Sequence, residues 1–309
     1  MRVSRTFRLP AAAVGLSLTA VLTLTACGSD NATDTAAGPL TVVASTNVWG
    51  SVAQSVAGDK VEVTSIITEP SSDPHSFETT PSDAAKVSDA SLVVYNGGGY
   101  DPFVEDVLSS NGGNSDQRTV NAFGLLESQS QVRDQGEANE HVWYDVGTVD
   151  ATAQAIADEL GELDPGNAAT YQANADTFSG RLKQITAVTD GIAATQGGAP
   201  VAQTEPIAHY LLEESSVRDV TPEGFTSAVE NGNDPAAADI AATRQLFTDK
   251  QVRALVYNVQ TDDDVTRDVR ATAEAAGIPV VEVNETLPEG LDYIQWQTNT
   301  AKALAAALQ

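Results

Sequence analysis

The chain has 309 residues, enough for two small domains or one large one, and its 43 Asp and Glu against 16 Lys and Arg give a formal net charge of −27. So acidic a surface repels nucleic acid and anionic lipid; it favours solubility and draws cations toward it. A single cysteine, Cys27, excludes an internal disulfide and any zinc site built on thiolates.

In chain order, Arg2, Arg5 and Arg8 come first, followed by an apolar run from Ala11 to Ala26. That run is too short to span a bilayer with proper flanks. Leu24-Thr25-Ala26 sets small residues against Cys27, which resembles a bacterial lipoprotein signal whose cysteine becomes the lipid-bearing first residue of the mature chain. An ordinary secretory signal with a chance cysteine is the alternative. The expected leader is residues 1–26. Residues 27–39, rich in Gly, Ser, Thr, Asn and Ala, read as a flexible tether. Loss of the three leader arginines makes the mature chain more acidic still.

Apolar runs then alternate with helical segments. Leu40–Ser45 reads as a strand and Val48–Ala57 as a helix. Val61–Ile67 leads into a loop and Pro81–Ser88 into a short helix. Leu92–Tyr95 ends in Asn96-Gly97-Gly98-Gly99, before a helix near Pro102–Leu108. After the Asp164-Pro165-Gly166 break, Tyr171, Ala175, Phe178, Leu182, Ile185 and Ile192 make one apolar stripe, predicting an uninterrupted helix over residues 167–195. Val201–Thr204, Val217–Val220, Val252–Tyr257 and Val280–Val283 repeat the strand theme, and an amphipathic helix from Tyr293 to Leu308 closes the chain. The fold class is therefore α/β: two lobes with mostly parallel sheets, residues 40–165 and 200–309, joined by a single long rigid backbone helix.

Histidine is scarce, with three in the chain, and two of them lie in short polar segments beside carboxylates. His75 follows Asp73-Pro74, with Glu78 three residues on; His141 sits beside Trp143 and Tyr144, with Asp145 nearby. Imidazole is a common ligand of transition metals, and neighbouring carboxylates such as Asp73, Glu78 and Asp145 are candidates to orient the rings. A solvated loop histidine and a core strand are the bland readings of the two segments. Glu205 and Glu285 each stand just past a strand, at the end of an open α/β sheet where ligands bind. Each equally suits a surface acid at a helix start. His209, one turn beyond Glu205, competes for the same role. Asp262-Asp263-Asp264 lacks the glycine and distant glutamate of a calcium loop and is expected to cap a helix. Gly97–Gly99 is no phosphate loop, and there is no nucleophile–base motif.

Together these segments resemble the metal-binding solute receptors that serve ABC importers for zinc, manganese or iron. Asp73-Pro74-His75-Ser76-Phe77-Glu78 with Pro81-Ser82-Asp83 is similar to that family's first ligand loop, and His141-Val142-Trp143-Tyr144-Asp145 to its second. Val94-Tyr95-Asn96-Gly97-Gly98-Gly99 and Asp164-Pro165-Gly166-Asn167 resemble intervening landmarks. The resemblance implies a third ligand five residues before an aromatic, which places it at Glu205 before Tyr210 rather than at His209. It implies a fourth ligand at Glu285, in the register after Ile278-Pro279. Two features depart from the pattern. Asn139-Glu140 replaces the usual Asp-Pro before the second histidine, and residues 111–139 lack a histidine-rich loop. That absence and Glu205 tilt the expected cargo toward manganese or iron, although zinc suits the same donors.

The expectation is a non-enzymatic, monomeric, lipid-anchored receptor on the outer face of the cytoplasmic membrane. It would hold one divalent metal (Mn²⁺ or Zn²⁺, with Fe²⁺ a third candidate) and deliver it to a permease and its ATPase. A secreted three-ligand metallohydrolase and a metal-containing adhesin are the alternatives.

Overall fold

The first strand, β1 (Thr41–Thr46), is a β-branched run with almost every residue buried, as expected of a central strand in a parallel sheet covered on both faces. It passes directly into α1 (Asn47–Ala57), then β2 (Glu62–Ile67), α2 (Pro81–Asp89), β3 (Leu92–Tyr95), α3 (Pro102–Ser110) and β4 (Arg118–Asn121). α4 (Ala122–Ser130), α5 (Val146–Leu163) and α6 (Ala168–Gln196) separate this sheet from a second one. The second begins with β5 (Pro200–Gln203), α7 (His209–Glu214) and β6 (Arg218–Asp219). It continues through α8 (Glu223–Glu230), α9 (Ala237–Thr248), β7 (Leu255–Asn258), α10 (Asp264–Ala275) and β8 (Val280–Val283) to α11 (Tyr293–Ala307). This is a computed structural model, and it describes residues 39–69, 72–110, 117–130 and 138–309. The leader, Cys27 and the tether up to residue 38 lie outside the described residues. No helix among the described residues is long and apolar enough to cross a membrane.

Both sheets are parallel, ordered β2-β1-β3-β4 and β6-β5-β7-β8, so they share one topology. The strand order reverses between β1 and β3, and again between β5 and β7. At such points the loops diverge and leave a crevice outside the carboxyl ends.

Side chains alternate faithfully across each sheet. Val42, Ala44, Leu92 and Val94 face one core; Val43, Val93 and Tyr95 face another. In the second sheet Val201, Val256, Val281 and Val283 join the same first core, while Ala202, Leu255 and Tyr257 face a third. The shared core runs along α6, whose buried Tyr171, Ala175, Phe178, Leu182, Ile185, Thr189 and Ile192 recur at alternating steps of four and three. At 1.5 Å per residue α6 is about 44 Å long, and it packs on α1, α5, α7 and α11. Residues 39–309 accordingly form one compact unit.

The observed elements depart from the expected ones in the middle of the chain. β4, α4 and α5 were not expected: β4 is four residues long with mostly exposed positions, which hides its period. Val142–Tyr144 is a 3-10 turn, not a strand, ended by Asp145 as the N-cap of α5. Asp263 caps α10 as expected, in a reciprocal capping box with Thr266.

Candidate metal centre

Each candidate side chain is presented from the carboxyl-end side of a sheet. The loop after β2 carries His75, whose backbone N–H donates to Asp73 Oδ1 at 2.9 Å while Ser76 Oγ donates to Asp73 Oδ2 at 2.8 Å. Asp73 therefore folds the loop locally, and its carboxylate also stands within ligand reach of His75 and Glu285. Tyr100 packs edge-on to the His75 ring, with centroids 4.9 Å apart. It is held there by the turn Gly97-Gly98-Gly99, all at positive φ, where glycine carries no steric penalty. The amides of Asn96 and Gly97 that open this turn donate to the buried Asp101 carboxylate, at 2.7 and 2.8 Å.

His141 is 1% exposed and wedged against Trp143, with centroids 5.1 Å apart. Its Nδ1 donates to Asn139 Oδ1 at 2.8 Å, which leaves Nε2 as the ring's free lone pair. Asn139 is itself clamped to the second lobe by a pair of hydrogen bonds with the Tyr210 hydroxyl. The side-chain amide of Asn96 donates to the Glu140 carbonyl at 2.8 Å. Burial, followed by the neighbouring His75 and His209, pushes the His141 pKa well down, so the ring is neutral at physiological pH.

The second lobe supplies carboxylates. Glu205 follows β5 in extended conformation, and its Oε1 accepts from Thr261 Oγ1 at 3.0 Å and from Asn258 Nδ2. The same Asn258 amide donates to Glu285 Oε1 at 2.7 Å, so one side chain at the end of β7 bridges the two acids. Among the described residues, Glu285 Oε2 is buried without a hydrogen-bond partner. The Glu285 backbone N–H donates to Gln260 Oε1 at 2.6 Å; Gln260 Nε2 in turn donates to the Ser72 carbonyl of the His75 loop at 3.0 Å. Burial raises Glu205 to about 7 and, together with repulsion from Glu205, raises Glu285 to about 8.

Two acids not singled out in the sequence also reach the site. Glu140 Oε1 lies 3.7 Å from His75 Nε2, and Glu230 Oε1, from the end of α8, lies 3.6 Å from His141 Nε2. Burial, and the hydrogen bond with Glu140, push Glu230 up to about 10. Two groups of donor atoms each lie within 4.8 Å of one another: His75, Glu140, His141 and Glu230, and Asp73, His75 and Glu285. Glu205 falls in neither group and joins the second through Asn258.

The remaining expected positions lie elsewhere. Glu78 is exposed, with no described contact to an imidazole. Asp145 caps α5 through the Gly147 and Thr148 amides, and Asn139 is the residue whose side chain bonds the His141 ring. His209 opens α7 and is exposed.

Two parallel α/β sheets packed along one long helix, with the candidate donors gathered beyond the ends of the strands, define a two-lobed α/β architecture. The family model described as "zinc-uptake complex component A, periplasmic" matches residues 42–307, and the chain belongs to this family. SsaB, a metal ABC transporter substrate-binding lipoprotein of Streptococcus sanguinis, is 33% identical over 181 residues, 56% of this chain and 57% of that protein. The chain thus spans little more than half the length of the first curated relatives it matches. SloC of Streptococcus mutans, another metal ABC transporter substrate-binding lipoprotein, is 26% identical over 288 residues, 84% of each. The structure of the periplasmic zinc binding protein TroA from Treponema pallidum shares the fold. Its TM-score is 0.73 at 18% identity, over 88% of this chain and 99% of that one.

Proposed function

We propose that the protein is an extracytoplasmic solute receptor. In this reading it captures one divalent transition metal between its lobes and delivers it to the permease and ATPase of an ABC importer. One observation carries this: two imidazoles from the first lobe, with His141 held in its neutral form by burial, and paired buried carboxylates from the second face each other across the cleft. His75, His141, Glu205 and Glu285 are the proposed ligands. Two nitrogen and two oxygen donors suit Mn²⁺, Zn²⁺ or Fe²⁺, and intrinsic affinity ranks zinc above manganese, so abundance and geometry would decide the cargo. The relatives named above support the transport role.

The ligand sphere is that of a carrier, not an enzyme. Both acids are held by one amide and both rings are flanked by aromatics, an arrangement suited to closing a full set of donors around an ion rather than to keeping a position for an attacking water. The lobes, residues 40–165 and 200–309, would part slightly to release it. Cys27 would carry the lipid that keeps a monomeric receptor at the outer face of the cytoplasmic membrane.

Thermal unfolding of metal-stripped protein against Mn²⁺, Zn²⁺, Fe²⁺ and Ca²⁺ tests the reading. A ligand at 100 times its Kd that binds only the folded state adds about 2.7 kcal/mol. The expected result is a clear upward shift in Tm with a transition metal, absent in His75→Ala. No shift with any of the four ions refutes the proposal.

A further inference from the structure

We propose that His75, Glu140, His141 and Glu230 form a capture station for the cation, at the mouth of the cleft, distinct from the deeper position beside Glu205 and Glu285. The inference rests on the receptor reading given above. Bonds of about 2.0–2.2 Å to a transition ion place donors roughly 3 to 4.4 Å apart, and these four lie within 4.8 Å of one another. The lone pair of His141 is committed by geometry: with Nδ1 donating to Asn139, Nε2 is the metal-binding atom, and the acid facing it is Glu230 at 3.6 Å. Glu230 shares a hydrogen bond with Glu140 through one carboxyl oxygen, while its Oε2 is buried and has no hydrogen-bond partner among the described residues.

The order of the two positions follows from exposure and from His75. The side chains of His75, Glu140 and Glu230 are 30%, 22% and 16% exposed, with His141 at 1% forming the buried floor of the station, whereas both acids of the inner position, Glu205 and Glu285, are 2% and 3% exposed as residues. An ion arriving from solvent therefore meets Glu140 and Glu230 first. His75 belongs to both donor groups, and one imidazole nitrogen holds one ion at a time, so the positions are filled in succession. His75 and His141, both proposed ligands of the final site, carry the ion from the outer acids to the inner ones, His75 being the imidazole found in both donor groups. Glu230 belongs to the second lobe and Glu140 to the first, so the station already spans the cleft before the deep carboxylates engage.

Stopped-flow mixing of the metal-stripped protein with Mn²⁺ and with Zn²⁺, at about 0.15 M salt to suppress general steering, separates the two positions. Glu230→Gln is expected to slow association at least fivefold. Glu223→Gln, at the exposed start of the same helix, is the control for lost charge and should leave the rate within twofold. Glu285→Gln is expected to raise the dissociation rate instead. Should Glu230→Gln fail to fold, Glu140→Gln carries the same expectation. Association within twofold of wild type in both variants, with the wild type binding normally, overturns this inference alone. A wild type that binds neither ion overturns the receptor reading and this one with it.

Discussion

The two walls of the cleft solve opposite problems. On the first lobe, burial favours the uncharged form of His141, which is the form a metal needs. On the second, the same burial favours the protonated form of Glu205 and Glu285, which is the form a metal must displace. Low dielectric therefore prepares the imidazole wall in advance and leaves the carboxylate wall waiting for its ion. Of these three groups, only the two acids must give up a proton when the ion binds.

The largest effect should come from breaking the prepared wall. His141→Ala removes a buried donor that nothing replaces. Its Kd for Mn²⁺, measured by competition with a chromophoric chelator, should rise by more than the roughly 10- to 100-fold that loss of an outer partner costs. Asn139→Ala keeps the ring and frees its tautomer, so a rise within that 10- to 100-fold range is expected in the same assay. If Asn139→Ala matches His141→Ala, the asparagine is holding the whole loop and not only the ring.

Next in size is the pH dependence. With Glu205 at about 7 and Glu285 at about 8, metal binding releases protons, so affinity for Mn²⁺ should fall as pH drops from 8 to 6. Glu285→Gln should flatten that slope by about one proton. The metal-free fold should show the reverse trend. A carboxyl whose folded-state pKa is raised contributes stability that is fully present below the unfolded value, about 4.3, and is lost as pH rises through the folded value. Metal-free protein should therefore lose Tm between pH 5 and 8 more steeply than Glu285→Gln, as calorimetry across that window can check. The smallest change sits behind the wall. Asp145→Ala deletes the α5 cap and should cost about 1 kcal/mol in urea unfolding, with metal affinity unchanged.

How much of this was readable beforehand depended on whether the information was local. Strands such as Val280–Val283 and the α6 stripe carry their own period, and both formed within a residue or so of expectation. His75 and His141 announced themselves by rarity and polar surroundings. Asn139 and Glu140 were visible only as a departure from a familiar pair, and their roles appear once the fold presses them against Tyr210 and His75. Glu230 carried no signal, since it ends an ordinary amphipathic helix and reaches the site only because that helix abuts the cleft. Asn258 closes a buried apolar strand, and its task exists only when Glu205 and Glu285 meet.

The core that runs unbroken along α6 has a further consequence for how the molecule comes apart. Neither sheet has a private interior on the α6 side, so melting either one exposes the helix face that the other needs. Unfolding should therefore be all-or-none across residues 39–309, with calorimetric and van't Hoff enthalpies equal. A single ion seated at the far ends of the strands would then protect every amide of both halves from exchange that proceeds through global opening, including those in α6, which touches no ligand.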